Sequence, residues 1–183
     1  MTHGVGEGAY ASQTAGDVGG TAPATGMTPT ALVLGLGNVL LGDDGAGVVL
    51  VEQLCGEIGE NAANFVDGGT LSFNLLSYIE SAESMLVIDA ADLGAEPGAV
   101  HLFEGSAMDR FLASARRRTV HEVGLIDLLD MARLQDRVPS RRALLCIQPS
   151  RIEWSEKLSG AVAQTLPVAG RQALALLQRW RII

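Results

Sequence analysis

The sequence predicts a single α/β domain with a mainly parallel five-stranded sheet covered by helices on both faces. Three observations predict it. Short apolar runs of strand length alternate with stretches that carry apolar residues at helical spacing. The strand-like runs are apolar at successive positions, as strands buried on both sides require. With 48% hydrophobic and 19% charged residues over 183 positions, the chain can bury one substantial core.

The elements follow in order. Residues 1–29 are rich in Gly, Ala, Thr and Ser and nearly free of aliphatic side chains. Such a segment cannot bury enough surface to offset the entropy of ordering, so it reads as a disordered tail ahead of a folded domain at 30–183. Met27 stands just before the first strand and is an alternative start. Ala31–Leu36 is the first apolar run. Gly45–Glu57 then carries Val48, Val49, Val51, Leu54 and Cys55 at helical spacing. A short second strand ends near Asp67 in "NFVDGG". The stretch "LSFNLLSYIE" reads as helix, with Leu71, Phe73, Leu75, Leu76 and Ile79 apolar. "SMLVIDAAD" is a third strand and "GAVHLFEG" a fourth, followed by a short helical piece at Met108–Leu112. A basic stretch, "RRRTVHEVG", leads into the helix "GLIDLLDMARLQ". "RALLCIQPS" is the fifth strand. Residues 159–183 form a long C-terminal helix, with Pro167 as a candidate break.

Charge and cysteine usage narrow the function. The net charge is -8 and the pI about 4.8, which argues against a nucleic-acid or anionic-membrane surface. No run reaches the ~18 apolar residues of a membrane span. The first 29 residues lack the basic start and apolar core of a signal peptide. Cys55 and Cys146 are isolated, so they form neither a metal pair nor a disulfide framework. They read as small buried hydrophobes in a reducing cytoplasm.

Open α/β sheets bind ligands at the C-terminal ends of their strands. By that rule Asp43, Asp44, Asp67, Asp89 and Asp92 all fall on one rim. The first loop, "GLGNVLLGDDGAG", resembles half of a dinucleotide fingerprint. Gly35 and Gly37 fit, but the third glycine position is Leu40, and two aspartates stand where a pyrophosphate would lie. No P-loop sequence exists. Carboxylates facing one point suit a cation, and an added imidazole moves the preference from magnesium toward a transition metal. His3 lies in the tail, and His101 lies inside a strand, where a structural or surface role suffices. His121 precedes a helix, and on chemistry alone both a structural and a ligand role stay open.

The motifs "LGLGNVLLGDDGAG", "VDGGT", "LVIDAADLGAEPG", "TVHEVGL" and "IQPS" occur here in the order found in the nickel–iron hydrogenase maturation endopeptidases. From about Leu32 to at least Glu153 the chain resembles that family. The resemblance implies one three-layer domain, a twisted sheet between helices, of the kind also found in phosphorylases and hydrolases. It implies removal of a short C-terminal extension from a hydrogenase large-subunit precursor once nickel has been inserted. Carried over by motif, the family's metal-contacting and catalytic positions are Asp44, Asp89 and His121. Asp43 is then a helix cap or loop brace, and Asp67 a brace for the loop around the site. Three protein ligands leave open positions on a metal, which suits nickel supplied by the substrate's own cysteines. Ser72, Ser77 and Ser150 have no clear His–Asp partnership, and no G-x-S-x-G elbow exists. A metal-assisted water attack, or a water activated by a carboxylate, remains.

The expectation is a protein that is monomeric at rest and partnered by the precursor. The basic stretch "SARRRTV" is either a solvated loop or a docking segment for that partner. Two other classes stay open: a nickel-binding assembly chaperone that does not cut, and a nucleoside phosphorylase-like enzyme.

Overall fold

The computed structural model describes residues 31–71, 73–115 and 120–183, without the side chains of 115 and 120–123. The expected tail at 1–29 and the arginines at 116–118 lie outside the described residues, as does Ser72.

The strands are β1 (Ala31–Gly35), β2 (Asn64–Asp67), β3 (Ser84–Ala90), β4 (Val100–Glu104) and β5 (Arg141–Ile147). They form one sheet in the order β2-β1-β3-β5-β4. All neighbours are parallel except β4, which runs antiparallel to β5. The exception has a simple cause. The connection 91–99 between β3 and β4 carries no helix, so the chain does not return to the far end of the sheet. A strand that starts where β3 stops must run the other way.

The helices are α1 (Ala46–Ile58), α2 (Leu75–Ser81), α3 (Ser106–Ala115), α4 (Val120–Leu134) and α5 (Gly160–Arg179). Every residue of β1 and β3 is buried. Their side chains alternate between two cores, as the two-residue period of a strand requires. Val33, Leu86, Ile88 and Leu145 pack with Leu50 and Leu54 of α1 and Val162 and Ala169 of α5. Leu34, Met85, Val87 and Leu144 pack with Ile79 of α2, Met108 of α3 and Leu125 and Leu129 of α4. The result is three layers, with the carboxylate-bearing loops at the C-terminal ends of the parallel strands.

Four expectations change. Helix α2 starts at Leu75, because Leu71 adopts a left-handed conformation (φ 63°) and turns the chain away from helix. Phe73 is consequently 75% exposed. Helix α4 starts at Val120, so His121 lies in its first turn rather than in a loop before it. Pro167 does not break α5, which runs unbroken through it. The hydrogen bond a proline forfeits would end on the carbonyl of Ala163, an exposed residue whose carbonyl water can serve. Val162, Leu166, Ala169 and Gly170 on the other side hold the helix to the core. Cys146 is buried as expected, but Cys55 is only half-buried on α1, and neither is in a disulfide.

Candidate active site

The site is built from the loop that joins β1 to α1, and the glycines dictate its path. Gly37 has φ 117°, and a Cβ there would lie 1.8 Å from the carbonyl oxygen of Asp44. Only glycine lets the loop fold back so closely on itself. At Gly47 in the first turn of α1, a Cβ would meet the carbonyl oxygens of Ile88 at 2.2 Å and Leu36 at 2.5 Å. The start of α1 is therefore pressed against the ends of β1 and β3. Between these glycines, Asp43–Gly45 form a single 3-10 turn packed against β3. The turn sets Asp44 at the sheet edge where β3 delivers Asp89.

The rim aspartates separate by burial. Asp43, Asp44 and Asp89 are 0%, 5% and 1% exposed. Asp67 and Asp92 are exposed and form local turns, accepting the N–H of Gly69 at 2.8 Å and of Gly94 at 2.9 Å. The Asp67 turn is also a tie between loops, because the Gly69 carbonyl accepts the N–H of Gly37 at 2.9 Å.

The two adjacent aspartates of the first loop do different work. Asp43 points toward the segment between β5 and α5. Its carboxylate accepts the N–H groups of Ser150 at 2.8 Å, Arg151 at 3.2 Å and Ser159 at 2.6 Å. Burial pushes this carboxyl up. The Ser159 N–H and hydroxyl, with the Ser150 and Arg151 N–H groups, outweigh burial and hold it below the usual carboxylate range. Ser159 also caps α5 by accepting the N–H of Val162 at 3.3 Å. Asp43 is thus a loop brace and not the cap of its own helix. Asp44 instead accepts the N–H of Asn38 at 2.7 Å, and the Asn38 side chain accepts the N–H of Leu40 at 2.9 Å.

Asp89 falls in strand alternation with Met85 and Val87, whose side chains face α2, α3 and α4. It lies on the sheet face covered by α4, the helix whose first turn holds His121. The His121 side chain lies outside the described residues. Among the described residues, no group of three His, Cys, Asp or Glu side chains is placed to hold a metal ion. Buried carboxylates at the end of parallel strands can hold a cation or a water, and neither can serve as a phosphate cradle.

Neither Ser77 nor Cys146 is placed to act as a nucleophile. Ser77 donates to the Asn74 carbonyl at 3.1 Å, and Cys146 is sealed in the core. His101 stands on β4 against Phe103, with ring centroids 4.2 Å apart, opposite Cys146 in register. It is exposed and belongs to the edge strand.

Two supporting residues escape a reading of sequence alone. One is Asn38, which ties Asp44 to its loop. The other is Gln148, whose side-chain oxygen accepts the N–H of Leu93 at 2.7 Å and of Ala95 at 3.3 Å and so fixes the loop after Asp89. A signal existed for Ser159, which precedes an apolar-periodic stretch as an N-cap should. Asn38 and Gln148 act on backbone groups whose position only the folded loops define.

Comparison with known proteins identifies the family and the fold. The family model described as hydrogenase maturation protease, HycI, matches residues 48–176. That span contains Asp89 and His121 and begins just after Asp44. The hydrogenase expression/formation protein HupD of Rhodobacter capsulatus is 36% identical over 154 residues, covering 82% of this chain and 72% of its own. The hydrogenase 2 maturation protease of Escherichia coli is 28% identical over 149 residues, covering 80% of this chain and 90% of its own. Among solved structures, the hydrogenase maturating endopeptidase HybD from E. coli superposes with a TM-score of 0.75 at 27% identity, covering 84% of this chain and 93% of that one. HybD from Thermococcus kodakarensis gives 0.67 at 27% identity, covering 82% and 99%. The fold, the order of motifs and these matches converge: the chain belongs to the hydrogenase maturation protease family.

Proposed function

We propose that this protein is the endopeptidase that removes the C-terminal extension of a nickel–iron hydrogenase large-subunit precursor after nickel insertion. The observation that carries the proposal is the pair of buried carboxylates, Asp44 and Asp89, at the C-terminal edge of β1 and β3. A loop that only glycine allows sets Asp44 there, and the end of β3 sets Asp89. Burying a carboxylate is costly unless hydrogen bonds or an opposite charge meet it, and a metal cation would supply such a charge. In this reading His121 joins them, and the three contact the nickel that the substrate carries. Nickel is therefore part of the substrate rather than a resident cofactor.

Three protein ligands leave positions on the metal for the substrate's own cysteines. The bound nickel then serves as the mark of a loaded precursor. Cleavage is hydrolysis: water adds hydroxyl to the scissile carbonyl carbon, and the leaving amide nitrogen takes the proton. That nickel would supply Lewis-acid polarisation of the scissile carbonyl; in the alternative route a carboxylate of the site would activate the water. The protein is monomeric at rest, and its partner is the precursor. Its two cysteines, Cys55 and Cys146, are not joined in a disulfide, which suits a reducing cytoplasm. Among the described residues no helix is long and apolar enough to cross a membrane.

The deciding experiment is the intact mass of purified nickel-loaded precursor before and after incubation with this protein. A loss equal to a C-terminal peptide supports the endopeptidase. A stable complex with no loss of mass would mean a nickel-binding chaperone, and turnover of nucleosides by the purified protein would mean a different enzyme.

A further inference from the structure

Beside the candidate site lies an apolar strip that the fold itself does not use. Val39, Leu40, Ile152 and Trp154 are exposed, Trp154 at 77%. They come from two loops joined backbone to backbone. Gly42 N–H donates to the Ser155 carbonyl at 2.7 Å, and Ser155 N–H donates to the Leu40 carbonyl at 2.9 Å. Leu41 bridges Ser155, and Gly42 bridges Ile152. Asp43 holds the second loop through the N–H groups of Ser150 and Arg151. The first loop reaches Asp44 directly through the Asn38 N–H.

We infer that this strip is a docking surface for the precursor chain close to the scissile bond, with Trp154 as its anchor. The inference rests on the reading of Asp44 as a residue of the site. Single exposed apolar residues need no explanation, but four on two mutually braced loops do. A strip that stays exposed yet is held by backbone hydrogen bonds is preorganised for a partner. Its surroundings have the make-up of an interface. The apolar residues flank an exposed ion pair, Arg151 with Glu153 at 3.1 Å, which supplies a polar rim. Tryptophan is the residue most often found to dominate binding at such surfaces. The occupant follows from continuity: the loop that exposes Val39 and Leu40 is the loop that carries Asp44. A polypeptide with its scissile bond at Asp44 must cross this loop within a few residues, at about 3.3 Å per residue in extended form. The strip therefore selects apolar side chains flanking the cut, while the carboxylates address the metal.

The chain has two tryptophans, Trp154 and Trp180, and Trp180 lies half-buried against the α1–α5 core. Protein labelled with 5-fluorotryptophan gives one fluorine resonance for each, and Trp154→Phe assigns them. Adding unlabelled nickel-loaded precursor is expected to move the Trp154 resonance and leave that of Trp180 in place. Trp154→Ala is expected to raise KM at least about tenfold with kcat within about twofold of the parent, and Trp154→Phe to restore most of the loss. Melting temperatures should match the parent, because Trp154 supports no core. Cleavage with an unmoved Trp154 resonance and an unchanged KM in Trp154→Ala would overturn the inference. So would a Trp154 resonance that moves on concentrating the protein alone, which would assign the strip to a second copy of this chain. If the parent binds the precursor at Trp154 but never cuts it, the docking surface stands and the endopeptidase reading fails.

Discussion

Replacing Asp43 by Asn is the perturbation whose cost the structure defines best. The carboxylate is fully buried and accepts three backbone N–H groups, from Ser150, Arg151 and Ser159. An asparagine keeps the shape but has one accepting oxygen. Its amide nitrogen must then face an N–H, donor against donor, on one side. Hydrogen bonds to a charged acceptor contribute about 1.5–3 kcal/mol each, and a stranded buried donor costs about 1–3 kcal/mol. Losing one side of the brace and weakening the other gives about 3 kcal/mol. For a domain of this size, a shift of roughly 2–4 °C per kcal/mol lowers the melting temperature by about 6–12 °C at neutral pH.

The pH dependence carries a second signature. The Asp43 carboxyl is held below its ordinary value in the fold, so its contribution is present above the unfolded value near 3.8 and lost as pH falls through the folded one. Asp43→Asn removes that contribution at all pH values, so the two proteins converge in stability in acid. Thermal unfolding followed by circular dichroism from pH 7 to pH 3 measures both effects. A melting temperature within about 2 °C of the parent at pH 7, or a constant gap down to pH 3, would refute the brace assigned to Asp43.

The other predictions concern the loop and the site. Gly47→Ala places a Cβ within 2.5 Å of two carbonyl oxygens, Ile88 in β3 and Leu36 just past β1, so it should destabilise the fold by several kcal/mol and lower soluble yield. Urea unfolding with a midpoint equal to the parent's would contradict the close approach. Asp44→Ala and His121→Ala should each abolish processing of loaded precursor while the protein stays folded. His101→Ala, on the edge strand, should process at the parental rate. Normal processing by His121→Ala would remove that residue from the site.

Much of the architecture was legible because parallel strands buried on both faces leave continuous apolar runs, as in "ALVLG" and "SMLVIDA". The start of α2 was not, since Leu71 and Phe73 fit helical spacing and nothing local announces a left-handed Leu71. The effect of Pro167 was hidden for a related reason. Whether a proline breaks a helix depends on which face its lost bond lies on and how firmly the other face packs. At the site, the cluster of rim carboxylates could be read from strand ends alone. The choice between Asp43 and Asp44 came from the family motif, because adjacent aspartates have the same chemistry. Only the folded loops show that Asp43 is spent on three N–H groups of a distant segment. Trp154 carries the same lesson. Its hydrophobicity is visible in the sequence, and its exposure is visible only in the structure.

The central claim is that the buried carboxylates address a metal carried by the substrate. The most direct test compares one purified large-subunit precursor in two forms, nickel-loaded and nickel-free, by intact mass after incubation with this protein. The account predicts that only the loaded form loses a C-terminal peptide. Equal and efficient cleavage of the nickel-free form would contradict it.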